Sequence, residues 1–151
     1  MLKTLKRRTD TSKKQRLSRK YDAFEKLINA LNKKDLPEDI VKEINGHIDS
    51  INNFTDKDAT LIRKISGSRL KILRLVEKRL KLVPKGHYQT LWMAVGMSAF
   101  GIPLGLVFGL ALDNMAFLGI GLPMGMAFGI ALGAGMDKKA QQEGRQLDLN
   151  G

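Results

Sequence analysis

The side chains able to hold a metal or relay a proton are few and scattered. The chain has two histidines, His47 and His87, forty residues apart, and no cysteine. A zinc site draws three or four His, Cys or carboxylate ligands from short helical or turn spacings, and neither histidine has such neighbours. No Ser-His-Asp set, nucleophile elbow or phosphate loop occurs either. The expectation is a protein that is not an enzyme, with no catalytic or metal-binding residues, no cofactor and no small-molecule substrate. What remains is charge, and glycine at regular intervals.

The charge lies almost wholly in the first half. Residues 1–86 hold 23 of the 26 Lys/Arg and 11 of the 15 Asp/Glu, a net +12. The first twenty residues carry nine basic side chains, Lys3, Lys6, Arg7, Arg8, Lys13, Lys14, Arg16, Arg19 and Lys20, against the single acid Asp10. Crowded like charges repel, so residues 1–16 are expected to form a mobile basic arm. Beside an anionic bilayer each such residue adds ~1 kcal/mol of attraction. These nine are therefore the candidate contacts to lipid headgroups. Nucleic acid is the weaker alternative, since no aromatic residues are interleaved with the charges.

Residues 91–136 are the opposite: forty-six positions with one charge, Asp113. Asp113-Asn114 divides them into spans 91–112 and 115–136, of 22 residues each. At ~1.5 Å per residue each makes a helix of ~33 Å, against a hydrocarbon core of ~30 Å. A chain of 151 residues is too short to wrap two such helices in other protein. The reading is a transmembrane hairpin over residues 87–136, followed by a short polar tail, 137–151, expected to fray.

Glycine spacing says how the two arms meet. Gly101, Gly105 and Gly109 on the first arm, and Gly121, Gly125, Gly129 and Gly133 on the second, recur every four residues. Small residues at that interval let helix backbones approach closely in lipid, where no hydrophobic drive exists between helices. The stretch opening Gly101-Ile102-Pro103-Leu104-Gly105 returns twenty residues later as Gly121-Leu122-Pro123-Met124-Gly125. Folding about Asp113 sets Gly101 opposite Gly125, Gly105 opposite Gly121, and Pro103 opposite Pro123, with both prolines expected to kink their arms at one level. Ala127, Ala131 and Gly135 form a second small-residue stripe on nearly the other side of the second arm. The first arm cannot cover both, so this stripe is the expected face for a second hairpin or another membrane protein. Tyr88 and Trp92 suit the headgroup layer as interfacial anchors. Asp113 is expected to cap a helix at the far interface.

Between arm and hairpin, residues 17–86 read as a helical domain. Leu17, Tyr21, Phe24, Ile28 and Leu31 make one amphipathic stripe. Pro37 followed by Glu38 and Asp39 marks the start of a second helix, with Ile40, Ile44, Ile48 and Ile51 on its apolar face. Thr55 with Asp58 resembles a capping arrangement for a third helix over about 56–83, with an apolar line of Ile62, Ile65, Ile72, Val76, Leu80 and Val83. Ser66-Gly67-Ser68 is a place where it could bend. Pro84-Lys85-Gly86 ends it.

Over residues 91–139 the chain resembles small bacterial membrane proteins of the glycine-zipper type, on the repeated Gly-x-Pro-x-Gly and the Gly-x-x-x-Gly ladder. The resemblance implies close helix packing and names no activity. A likeness to the rotor-ring subunits of rotary ATPases is superficial, because no carboxylate lies near the middle of either arm. Basic residues flank both outer ends of the hairpin (Arg74, Lys78, Arg79, Lys81 and Lys85 before it, Lys138 and Lys139 after it) and none lies at the turn. The positive-inside rule then places both termini in the cytoplasm and the hairpin in a cell inner membrane. The expected protein is all-α, with a basic head of about three helices. Its expected role is a membrane anchor, adaptor or assembly subunit. A small oligomeric pore and a membrane-tethered nucleic-acid binder are the alternatives.

Overall fold

The computed structural model describes residues 1–7, 15–55 and 57–149. It is mostly helical and divides into two compact units. One comprises Met1–Val83 with Leu147–Gly151, the other Pro84–Gln146.

The first unit is built on α1 (Gln15–Asn32), α2 (Glu38–Asn52) and α3 (Asp58–Leu80). Apolar residues at intervals of three and four place one face of each helix in a common core. On α1 the buried set is Leu17, Tyr21, Phe24, Leu27, Ile28, Ala30 and Leu31, and on α2 it is Ile40, Ile44, Ile48 and Ile51. Burying side chains of this size contributes roughly 1.5–3 kcal/mol each, and this row of β-branched residues stiffens the packing. On α3 the buried line is Leu61, Ile65, Ser68, Ile72 and Val76. Ile62 is only partly buried, so the seam runs one residue earlier than its periodicity suggested. The N-cap position of α3 is Lys57, two residues past the expected Thr55, and it makes no side-chain cap bond. The helix continues through Ser66-Gly67-Ser68 and ends at Lys81, which adopts the left-handed conformation with φ 56°.

Two segments expected to be loose are built into this unit. Residues 1–7 lie against the helices, with Leu2 and Leu5 each 7% exposed in the core. The Lys3 and Lys6 amides donate to the side chains of Asn45 and Asn52, and Asn52 Nδ2 donates to the Thr4 carbonyl. Lys3 Nζ meets Asp49 at 2.6 Å, and Arg7 bridges Asp22 and Glu25. Those carboxylates, Glu25 foremost, raise the Arg7 pKa above its ordinary value. The expected mobile arm over 1–16 is thus corrected for its first seven residues, because nearby acids neutralise the repulsion. Arg8, Lys13 and Lys14 lie outside the described residues. At the other end the tail does not simply fray. Gln146–Leu147 (β2) pairs with Val83–Pro84 (β1) in a two-stranded sheet, and Leu147 is fully buried in the core of this unit.

The second unit consists of two rods. The first joins α4 (His87–Gly96), a π-turn (Met97–Gly101) and α5 (Ile102–Ala111). The second is a short 3₁₀ turn (Met115–Phe117) leading into α6 (Leu118–Gln142), six residues longer than the expected span. Between them Asp113 takes φ 49°, and Asn114, not Asp113, supplies the cap: its Oδ1 accepts from the Ala116 amide at 2.9 Å.

Candidate functional site

The rods His87–Ala111 and Met115–Gln142 are long and apolar enough to cross a membrane. Their burial is inverted relative to a water-soluble helix pair. The buried positions are Gly96, Gly101, Gly105 and Gly109 on the first rod. On the second they are Gly121, Gly125, Gly129 and Gly133, followed by Asp137 and Ala140. Meanwhile Phe100, Val107, Leu110, Phe128 and Leu132 are between 50% and 70% exposed. The rods hide glycine and show their large side chains.

The glycines form a seam of backbone against backbone. Gly121 faces the Gly101 carbonyl and Gly105, and Gly125 faces Gly101 and the Gly96 carbonyl. Gly129 faces the Trp92 carbonyl and Met93, while a Cβ on Gly133 would lie 2.5 Å from both Gln89 Cα and the Tyr88 oxygen. A Cβ on Gly105 would meet the Leu118 oxygen at 2.9 Å, and one on Gly109 would meet Met115 Sδ at 3.2 Å. Because the glycine Cα–H bonds are aimed at carbonyl oxygens, the seam is a ladder of weak Cα–H···O contacts. Methyl groups along most of it would force backbone to move, which no rotamer change relieves.

Gly96 was not among the expected packing residues, and its spacing explains both the omission and its role. The first rod reads 96, 101, 105, 109, so its first step is five residues rather than four. An ordinary helix would carry Gly96 away from the seam. The π-turn absorbs the extra residue, with the Ile102 amide donating to the Met97 carbonyl five positions back. Pro103, two residues past that turn, has no N–H to continue regular pairing. A five-residue glycine step beside a proline is the signal that would have found it. The second rod differs: α6 runs as one helix through Pro123. The π-turn lies on the first rod only. Both prolines are exposed, outside the seam.

Below the glycines the seam closes on a charge. Asp137, 8% exposed, accepts from the Tyr88 amide at 3.2 Å and the Gln89 amide at 2.9 Å. The first amides of a helix have no intrahelical partner, so a carboxylate on α6 caps α4 from across the hairpin. Gln146 Nε2 donates to the Asp137 carbonyl at 2.8 Å. The sequence showed Asp137 only as the first polar residue past an apolar run, and nothing local marked it as a cap. Tyr88 and Trp92 are half-buried at this end of the first rod. Ala127, Ala131 and Gly135 are exposed on α6, with open space around Gly135.

Of the nine expected lipid contacts, Lys3 and Arg7 are engaged by acids, while Arg16, Arg19 and Lys20 are exposed on α1. Among the described residues no group of three His, Asp or Glu gathers at metal-binding distance. Compared with known proteins, the chain matches no family model, no curated protein and no solved structure.

Proposed function

We propose that the protein is an integral membrane anchor or adaptor subunit, its two rods spanning a cell inner membrane and its helical head and both termini in the cytoplasm. One observation carries this reading: the rods bury glycine and expose phenylalanine, leucine and valine. In water that arrangement leaves a large apolar surface uncovered. In a bilayer lipid covers it, while the buried glycines supply the close packing that membrane helices need. The helical backbones satisfy their own polar groups, as the hydrocarbon requires. The flanking Lys/Arg and the lack of any Lys/Arg at the turn support the orientation. The exposed Ala127/Ala131/Gly135 stripe supports association with a second hairpin or another membrane protein.

The test is extraction and labelling of the full chain. It should stay in membranes through alkaline carbonate washing. Because the natural chain has no cysteine, Asn114→Cys and Lys139→Cys each report one site. An impermeant thiol reagent applied to intact cells should label the first and spare the second. Release by carbonate would refute the membrane reading, and labelling of the Lys139 site with sparing of the Asn114 site would refute the orientation.

A further inference from the structure

The basic side chains of α3 sort into two groups. Arg79 pairs with Asp39 at 2.8 Å, Lys64 stands 4.6 Å over the Phe54 ring, and Arg69 is half-buried. Arg63, Lys71, Arg74 and Lys78 are exposed, with no ion pair among the described residues. At ~100° per residue these four project from the side of α3 opposite Leu61, Ile65, Ile72 and Val76. Glu77, the one acid on α3 after Asp58, is engaged in an interaction of its own. Beside the four cations stands Leu70, 49% exposed, which with Met1 makes up the exposed large apolar side chains among the described residues of the head.

We infer that this outer face of α3 is a docking surface for the anionic headgroups of the membrane in which the rods sit. Three features select lipid as the occupant. Four uncompensated cations spread over about four turns complement a dense field of phosphates, and attraction of this kind falls off within a Debye length, ~8 Å at physiological ionic strength. Leu70 at the edge of this patch suits insertion beneath headgroups and has no use against a duplex backbone. The patch is tethered where it is needed: eight residues separate Lys78 from His87, the first residue of the rod. The headgroup contact thereby moves from the N-terminal segment, where Lys3 and Arg7 already have acidic partners, to α3. This inference rests on the membrane reading above, and its test separates the two.

Gly67 lies on the same face, exposed, with nothing within 4 Å of an added Cβ. Gly67→Cys in the full chain, carrying an environment-sensitive fluorophore, leaves the four cations and Leu70 intact. Gly46→Cys on α2, equally open, is the control, and Val107→Cys reports the rods. The proteins are reconstituted in phosphatidylcholine alone or mixed with phosphatidylglycerol, each with spin-labelled lipid. The Gly67 label should shift to the blue and be quenched several-fold more in the mixed vesicles. Both effects should vanish as salt rises toward ~1 M, where the screening length falls to ~3 Å. Both should also vanish in a variant combining Arg63→Gln, Lys71→Gln, Arg74→Gln and Lys78→Gln. The Gly46 label should stay aqueous and the Val107 label quenched in both vesicles. A Gly67 label indifferent to lipid charge while Val107 is quenched overturns the docking surface alone. A Val107 label unquenched in both overturns the membrane reading and this inference together. A Gly67 label that answers to a short DNA duplex and not to anionic lipid overturns it in favour of nucleic acid.

Discussion

Adding one methyl group to α6 should have opposite effects at two glycines six residues apart. At Gly129 the methyl would overlap the Trp92 carbonyl, lie 2.6 Å from the Trp92 carbonyl carbon and 3.0 Å from Met93 Cα. Comfortable C···O contacts begin near ~3.3 Å, so the rods must part by ~1 Å or more. Overfilling a rigid contact costs about 1–3 kcal/mol. The separation also weakens the Cα–H···O contacts at Gly129, Gly125 and Gly133, at about 0.5 kcal/mol or more each. Gly129→Ala should therefore destabilise the hairpin by about 2–4 kcal/mol. At Gly135 the same methyl meets open space and removes glycine's helix penalty, a gain of up to ~1 kcal/mol. The two variants should differ by about 2–5 kcal/mol, roughly thirtyfold to several-thousandfold in the folding equilibrium. Unfolding of the full chain in mild detergent, driven by added sodium dodecyl sulfate, measures this directly. Trp92, the one tryptophan, sits on the seam and reports it by fluorescence. Equal midpoints for Gly129→Ala and Gly135→Ala would refute the backbone seam.

Asp137→Ala should cost about 2–3 kcal/mol in the same titration, because it strands the Tyr88 and Gln89 amides at a nearly dry site; Asp137→Asn should recover part of that, and a loss no larger than for Lys138→Ala would contradict the cap. Leu147→Ala removes a fully buried side chain and should cost the head about 2–5 kcal/mol, seen as faster amide exchange across α1–α3. Exchange unchanged from wild type would mean the tail does not complete that core. Ala131→Ile should leave the hairpin inserted and normally abundant yet reduce crosslinked oligomers in membranes, while a wild type that never crosslinks would remove the association proposal.

What the sequence displayed was whatever depends on near neighbours. The isoleucines of α2 recur at four, four and three residues, and all four are buried as that rhythm requires. On α3 Leu61 and Ile62 are adjacent and both apolar, so periodicity alone could not choose between them; packing against α1 and α2 put Leu61 inside. The opening residues misled for an electrostatic reason. Their charge density implied self-repulsion, but the acids that neutralise it, Asp22, Glu25 and Asp49, come from helices later in the chain. Leu147 and Asp137 were opaque for the same cause, because their partners Val83, Tyr88 and Gln89 lie 48 or more residues away. In the hairpin the four-residue glycine rhythm was plain, and the one break in it marked the π-turn.

The return of the chain to the head constrains the hairpin more tightly than the glycines do. Val83 and Leu147 are both fully buried in the same unit, and their segments pair as strands. Everything between them leaves one small core and comes back to it. On the membrane reading this demands an even number of crossings, because a single span would carry Leu147 to the far side and leave its place in the core empty. Two rods meet the demand, and it explains why the base of the hairpin is fastened so specifically. The first amides of α4 stand where the rods meet, and their partner is a carboxylate one residue beyond the last apolar position of the second arm. If α6 slid by one residue, Asp137 would leave those amides while glycine gave way to bulk along the seam. Seam and cap therefore select the same register, one by shape and the other by charge.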